Sequence, residues 1–118
     1  MLKAALAVFT FSLLGLAQMK GETYDDGNYL LGSCGISARH DDGKNYGDNL
    51  ELYRDGVCLG LVRGVSDISR RVCAPHGSTV MQEIRVVVKF LQDHPEKLNL
   101  RDTDLIETAL AQAFPCTK

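Results

Sequence analysis

The chain has 118 residues, of which 45% are apolar and 24% are charged, a length that suits one small globular domain and excludes two. A formal charge of -2 gives no indication of a basic surface, so neither nucleic acid nor a membrane surface is expected as a partner. Four cysteines predict two disulfides in an oxidising compartment, or a metal or redox site in a reducing one.

The first seventeen residues have the pattern of a signal peptide. Lys3 provides a positive charge, residues 4–17 are uncharged and apolar, and small residues two positions apart precede Gln18. A membrane anchor is the alternative, but the apolar segment would rise only about 21 Å as a helix, against a hydrocarbon core of about 30 Å. We therefore predict a signal peptide over residues 1–17 and a single exported domain over residues 18–118.

Two helices are predicted in the first half of this domain, after a polar and glycine-rich start. The apolar residues 29–31 predict a short first helix that ends near Cys34. Over residues 50–68, apolar side chains recur at steps of three and four, which predicts an amphipathic helix of about five turns. The residues expected on its buried face are Leu50, Tyr53, Val57, Leu61, Val65 and Ile68.

Two further helices have recognisable starts and ends. Thr79 and Gln82 have the spacing of a capping box, and His94 precedes the proline that ends the third helix. Asp102 is the candidate N-cap of the fourth helix. The residues expected to be buried are Val80, Ile84, Val87, Val88 and Leu91 in the third helix and Leu105, Ile106, Ala109, Leu110 and Ala113 in the fourth. No segment alternates with period two, so the sequence predicts an all-α bundle of about four helices.

Three glycines lie at steps of four in the second helix: Gly56, Gly60 and Gly64. Each costs about 1 kcal/mol relative to alanine in a helix interior, and a missing Cβ allows close approach of another helix. We expect a neighbouring helix of the same chain to cross here. A dimer seam is the second alternative, and a ligand groove is the third.

The four cysteines are Cys34, Cys58, Cys73 and Cys116, and none of them forms a CxxC pair, which disfavours structural zinc. In an exported protein, two disulfides are the better interpretation. If the second, third and fourth helices run up, down and up, Cys73 and Cys116 lie at the same end of the bundle. We therefore predict Cys73 with Cys116 and, by elimination, Cys34 with Cys58, which would fix the short first helix to the long one.

The sequence offers little support for catalysis. His40, His76 and His94 all fall in predicted loops, and a Cys–His hydrolase would need a free thiol beside one of them. The disulfide interpretation uses the nearest candidate, Cys73. The acidic segment 41–47 fails as an EF-hand because Lys and Tyr stand where oxygen ligands are required. We predict no catalytic residue, no metal site and no cofactor.

Four short stretches resemble the Rap/Tai family when they are taken together. They are residues 58–67 (CLGLVRGVSD), the CAP step at 73–75, residues 88–96 (VKFLQDHPE) and residues 109–116 (ALAQAFPC). The family includes immunity proteins that guard Gram-negative bacteria against amidase effectors of type VI secretion. The resemblance extends over about residues 28–116. It implies a small all-α periplasmic domain with disulfides, often a homodimer, which binds a peptidoglycan amidase and blocks its active-site cleft.

We expect the contact surface for such a partner in the loop between the third and fourth helices. Its polar side chains crowd a segment fixed by proline, and a rigid protrusion loses little entropy on entering a cleft. The residues proposed for contact are His94, Glu96, Lys97, Asn99 and Arg101. An ordinary solvated loop is the alternative. Two other functions also stay open: a periplasmic structural or envelope-stress interaction module without a cognate toxin, and a hydrolase.

Overall fold

The computed structural model describes residues 24–117, so the predicted signal peptide lies outside the described residues. The described chain forms four α-helices, and a single 3-10 turn, Pro95–Lys97, follows the third of them. The helices are α1 (Gly27–Asp41), α2 (Asn49–Ile68), α3 (Val80–Asp93) and α4 (Asp102–Ala113). Residues 24–117 contain no strand, and the all-α prediction is confirmed. None of these helices is both long and apolar enough to span a membrane.

Side-chain caps begin three of the four helices. Asp26, Asp48 and Thr79 each accept a hydrogen bond from the backbone N–H three residues further along. The predicted capping box of α3 is confirmed, because Gln82 Oε1 also accepts from the Thr79 N–H at 2.7 Å. These caps satisfy backbone donors that each helix start would otherwise leave without a partner.

Two predicted helix ends differ from the structure. α1 continues to Asp41, well past the end expected near Cys34, because Ile36 and Ser37 beyond that point are also buried and Ser37 donates to Asp55 of α2. At α4 the cap position belongs to Arg101, which makes no side-chain capping bond, and the expected cap Asp102 is instead the first helical residue.

The predicted buried face of α2 is wrong in part: Leu61 and Val65 pack against the core as expected, but the rest of the face does not. The side chains that α2 buries most deeply are Asp55, Cys58 and Val62. Three residues of the predicted face are more than half exposed to solvent: Leu50 (61%), Tyr53 (64%) and Ile68 (81%). The physical reason is the disulfide from Cys58 to α1, which turns the cysteine side of α2 inward. Asp55 and Val62 lie about one turn to either side of Cys58, so they turn inward with it.

The expected role of the α2 glycines is also wrong. Gly56, Gly60 and Gly64 are exposed, and a Cβ built on any of them meets no atom of the described chain within 4 Å. No described helix therefore crosses α2 at these positions.

The hydrophobic core lies where the four helices meet. α1 and α4 each pack against both α2 and α3. The largest fully buried apolar side chains are Leu30, Val62, Ile84, Val87, Leu91, Ile106 and Leu110. The predicted faces of α3 and α4 are largely confirmed, although Val80 and Val88 are only partly buried and Ala113 is exposed.

Both predicted disulfides are present. Cys34–Cys58 joins α1 to α2, and both of its cysteines are 0% exposed. Cys73–Cys116 joins the α2–α3 connection to the segment after α4, and both of its cysteines are exposed. Beside it the Cys73 N–H donates to the Phe114 carbonyl at 2.9 Å, so the chain after α4 is held at this end of the bundle by two kinds of bond.

We predict that the two disulfides are reduced in a fixed order. A thiolate must reach the sulfur that it attacks, so a mild reductant should open the exposed Cys73–Cys116 bond first. The buried Cys34–Cys58 bond should open only when the domain unfolds. Timed alkylation followed by peptide mass spectrometry measures the order, and equal rates for the two bonds in the folded protein would contradict it.

Candidate functional site

The connection between α3 and α4, residues 94–101, is ordered by its own backbone. Pro95–Lys97 forms the 3-10 turn, in which the Lys97 N–H donates to the His94 carbonyl at 3.0 Å. The Leu100 N–H then donates to the Lys97 carbonyl at 2.9 Å. Successive turns of this kind leave few backbone groups free to rearrange. We call this segment the α3–α4 loop.

The start of α1 holds the α3–α4 loop from the other side. The Gly27 N–H donates to the Leu100 carbonyl at 3.0 Å, and the Asn28 N–H donates to the Leu98 carbonyl at 3.1 Å. The Asn28 side-chain amide donates to the same Leu98 carbonyl at 3.0 Å. These bonds join positions about 70 residues apart, so the conformation of the loop depends on the first residues of α1.

Gly27 allows this contact because it has no side chain. A Cβ at this position would lie 2.9 Å from both Cα and the carbonyl oxygen of Leu98, and 2.6 Å from Cδ1 of Leu105. Atoms of the backbone cannot move away as a flexible side chain could. The loop can therefore approach α1 this closely only while residue 27 is glycine.

Two of the five predicted contact residues hold the loop rather than face outward. The His94 ring stacks on Phe90 with 4.3 Å between ring centroids, and its Nδ1 donates to the Phe90 carbonyl at 2.8 Å. The Lys97 Nζ lies 5.6 Å from the centroid of the same ring, a cation–π contact. Both side chains are half-buried.

The other three predicted residues are exposed together with Leu100, which the sequence analysis missed. Leu100 is 48% exposed, an apolar side chain between polar neighbours, and its apolar character within a polar loop was the signal that could have identified it. We call the outward set Glu96, Asn99, Leu100 and Arg101 the loop tip. An apolar centre with a polar rim is typical of a surface that binds another protein.

A nearly buried carboxylate lies directly behind the loop tip. Asp102 is 6% exposed and accepts a hydrogen bond from the Thr103 N–H at 2.6 Å. Burial raises the pKa of Asp102, and the nearby Asp25 carboxylate acts in the same direction, while the Thr103 N–H and the Arg101 guanidinium oppose the rise. Asp102 also anchors the loop, because its N–H donates to the Asp25 carbonyl at 2.9 Å.

The described residues contain few of the features that catalysis would need. Within residues 24–117, no three His, Cys, Asp or Glu side chains lie close enough to hold a metal ion. The thiol that a Cys–His hydrolase would use is bonded, since Cys73 is in a disulfide. His40 lies in α1 rather than in the predicted loop, and its ring stacks on Tyr46 with 4.1 Å between centroids.

The acidic residues at the end of α1 form ion pairs with a basic side chain. Asp41 and Asp42 both accept hydrogen bonds from Arg85 Nη2, at 2.6 and 2.8 Å. These ion pairs connect α1 to α3 at the surface. The carboxylates that suggested calcium in the sequence therefore have a protein cation as their partner.

Comparison with known families places the whole described bundle in one of them. Residues 26–116 match the Rap1a immunity proteins. The chain belongs to the Rap1a immunity protein family. The matched segment runs from the cap of α1 to the last cysteine, so it includes all four helices, both disulfides and the α3–α4 loop. Neither the curated proteins nor the solved structures contain a match.

Gly27→Ala should disturb the α3–α4 loop of this Rap1a family member. The new methyl group would overlap the backbone of Leu98, so we expect a loss of about 1–3 kcal/mol in unfolding free energy. Amide exchange at Leu98 and Leu100 should also become faster. Urea unfolding and hydrogen exchange measure the two effects. Gly35→Ala is the matched control, because its Cβ would meet only Arg39 Nη1 at an ordinary 3.7 Å, so it should stabilise the helix. Equal changes in unfolding free energy and in amide exchange for the two variants would contradict the close contact between Gly27 and Leu98.

Asp102→Asn should stabilise the domain at neutral pH. Since burial raises the folded-state pKa of Asp102, the ionised carboxylate destabilises the fold above that pKa, whereas asparagine carries no charge and keeps an oxygen for the Thr103 N–H. The gain should shrink as the pH falls through the raised pKa and vanish below the unfolded value of about 4.

Urea unfolding of both proteins between neutral and acidic pH tests this. Asp104→Asn is the control, because Asp104 is an exposed carboxylate in the same helical turn. A destabilised Asp102→Asn variant at neutral pH would show that the charge at the helix start outweighs its burial.

Proposed function

We propose that this protein is a periplasmic immunity protein that binds and inhibits a peptidoglycan amidase effector of type VI secretion. Membership of the Rap1a immunity protein family supports a toxin as the partner. The amidase and the periplasm rest on the resemblance to the Rap/Tai family and on the signal-peptide pattern of residues 1–17. The two disulfides are compatible with an oxidising, exported environment.

The observation that carries the proposal is the rigid loop tip. Its backbone is held by hydrogen bonds to Gly27 and Asn28 and by the stacking of His94 on Phe90. A preordered protrusion can enter a cleft without the entropy loss that ordering a flexible loop would require. In this proposal inhibition is steric: the tip occupies the space that the peptide of the substrate needs, and no group of the inhibitor takes part in chemistry.

The chemistry of the loop tip suits an enzyme cleft. Leu100 provides apolar area to desolvate, and Glu96 and Arg101 provide charges of both signs on either side of it. Arg101 Nε lies 4.0 Å from Asp104 Oδ2, at the limit of an ion pair, so its guanidinium stays available to a partner. An interaction module without a toxin would use the same surface, but the family match favours the toxin.

The resemblance also implies a homodimer. The loop tip must stay free to reach an amidase, so a seam between two copies has to lie on another part of the surface. The outward face of α2, which carries the three open glycines, is a separate surface of this kind.

Replacing Glu96, Asn99 and Arg101 together by alanine should weaken binding to the cognate amidase. Truncating three of the four side chains of the loop tip should reduce affinity by about 30-fold or more, while the fold should be unchanged because these side chains are exposed. Calorimetric titration against a panel of secreted amidases measures the affinity, and survival of cells that export the same amidase measures protection.

The double variant Arg71→Ala, Glu107→Ala is a charge-matched control. It removes an ion pair between the exposed Arg71 and the half-buried Glu107, together with the hydrogen bond that Glu107 accepts from the Ser69 hydroxyl, near the Cys73–Cys116 end of the bundle. It should bind and protect like the unmodified protein. Unchanged affinity of the triple variant would refute the loop tip as the contact surface, and no binding to any amidase of the panel would favour an interaction module instead.

A further inference from the structure

A groove of about 650 Å³ lies between the start of α1 and the N-terminal half of α2. Most of its walls are aromatic or apolar, and the remainder are polar. The first group is Tyr24, Tyr29, Leu50, Tyr53 and Val57, and the second is Asp26, Asn28 and Arg54. A concave site of this size, lined by apolar side chains with a few polar groups, is typical of sites that bind small ligands. We call it the tyrosine groove.

The aromatic wall of the tyrosine groove is fixed by contacts within the chain. The Tyr24 and Tyr29 rings meet edge to face with 5.1 Å between their centroids, and the Arg54 guanidinium lies 4.8 Å from the Tyr29 centroid. Tyr24 and Tyr53 are nevertheless each more than half exposed to solvent. The groove is therefore formed before a ligand enters it, and its rings have apolar area for a ligand to cover.

Arg54 is held in the tyrosine groove by neutral groups of α1. Its Nε donates to the Ser33 hydroxyl oxygen at 3.3 Å, and its Nη2 donates to the Tyr29 carbonyl at 3.5 Å. Gly32 provides the space for the guanidinium, because a Cβ at that position would collide with Nη2. Within residues 24–117 these bonds leave Nη1 without a partner, so the guanidinium keeps hydrogen-bond donors for a ligand.

The positive charge of Arg54 is not compensated, unlike that of most arginines in the chain. Five of the seven arginines form an ion pair with a carboxylate. Among the described residues the exceptions are Arg54 and Arg70, and Arg70 is exposed, so water solvates it. Arg54 is half-buried and has lost part of its hydration without gaining a carboxylate in return. A ligand carboxylate would supply that partner, and the planar guanidinium can hold it by two parallel hydrogen bonds.

We propose that the tyrosine groove binds the C-terminal end of a short apolar peptide. The terminal carboxylate of the peptide pairs with Arg54, and its last apolar side chain packs against the tyrosine rings. Capture of a peptide carboxylate beside an apolar wall is a recurring mode of peptide recognition. The groove and the loop tip share no residue, so this inference does not depend on the proposed function.

The oxygen acceptors of the groove favour a peptide over a simple apolar acid. The Asn28 side-chain amide donates to the Leu98 carbonyl at 3.0 Å, which leaves its Oδ1 as an acceptor at the edge of the groove. The carboxylate of Asp26, the cap of α1, lines the groove beside it. The backbone N–H groups of a peptide can donate to such oxygens, whereas a fatty acid has a carboxylate and an apolar chain but no N–H group.

NMR titration of the full mature chain with two matched probes tests the proposal. N-acetyl-leucyl-phenylalanine should bind with a dissociation constant of about 10–100 μM and shift the signals of Tyr29, Tyr53 and Arg54. Its C-terminal amide has the same shape without the charge and should bind about tenfold more weakly. Octanoate, which has no N–H group, should also bind about tenfold more weakly. Equal affinity for the acid and either of the other probes, or no binding at about 5 mM, overturns the proposal.

Two variants test whether Arg54 holds the carboxylate. Arg54→Gln should bind the acid and the amide with equal affinity. Arg63→Gln is the matched control, because it removes another guanidinium of α2 that Asp67 already pairs at 3.0 Å, and it should keep the preference for the acid. Gly32→Ala keeps the charge of Arg54 but displaces its guanidinium, so it should lower the preference about fivefold in a helix that alanine stabilises. A full preference for the acid in Arg54→Gln or Gly32→Ala would refute the assignment.

The apolar wall and a competing occupant are tested with the same probe. Tyr53→Ala should weaken binding of the acid about tenfold, whereas Leu52→Ala, at an exposed neighbour that does not line the groove, should leave it unchanged. Glu22, two residues before Tyr24, is the nearest carboxylate in sequence outside the described residues. Glu22→Gln should not alter the affinity. A rise of about tenfold in this variant would assign Arg54 to a carboxylate of its own chain and overturn the proposal, as would equal effects of Tyr53→Ala and Leu52→Ala.

Discussion

The buried bond between Cys34 and Cys58 sets the orientation of α2, and the rest of the molecular surface follows from it. The bond requires Cys58 to face α1, so Asp55 turns inward with it. A buried carboxylate is tolerated because both of its oxygens have donors: the Ser37 hydroxyl at 2.5 Å and the Tyr46 hydroxyl. This hydrogen bond to Asp55 raises the pKa of Tyr46 and thus favours the protonated donor. The same orientation of α2 leaves Leu50, Tyr53 and Ile68 in solvent.

A second constraint acts after the last residue of α3. There the start of α1 determines the shape of the α3–α4 loop, which is about 70 residues away in sequence. Gly27 brings the α1 backbone against Leu98, and Phe90 holds His94 and Lys97 from the other side. The loop is therefore rigid because of its surroundings rather than because of Pro95 alone. Its exposed side chains can therefore differ without affecting its backbone.

The parts of the fold that could be predicted depend on local signals or on the order of the helices. The capping box at Thr79, the stop at His94 and the pairing of Cys73 with Cys116 are of this kind, and all three are present. The length of α1 and the buried face of α2 could not be predicted. Both depend on long-range contacts: periodicity identifies an apolar stripe but does not say whether the stripe meets the core or solvent. At the site, the polar residues of the loop could be identified from the sequence. The contact of Gly27 with Leu98 could not, because it joins two segments that only the fold brings together.

α2 departs from the usual relation between apolar periodicity and burial. Apolar periodicity normally marks the core side of a helix, because burial stabilises the fold. In α2 a covalent bond and a satisfied polar cluster take the core side. The two ends of the apolar stripe, at Leu50, Tyr53 and Ile68, remain in solvent, and three glycines between them destabilise the helix in isolation. Nothing within the described chain compensates for that cost at these positions.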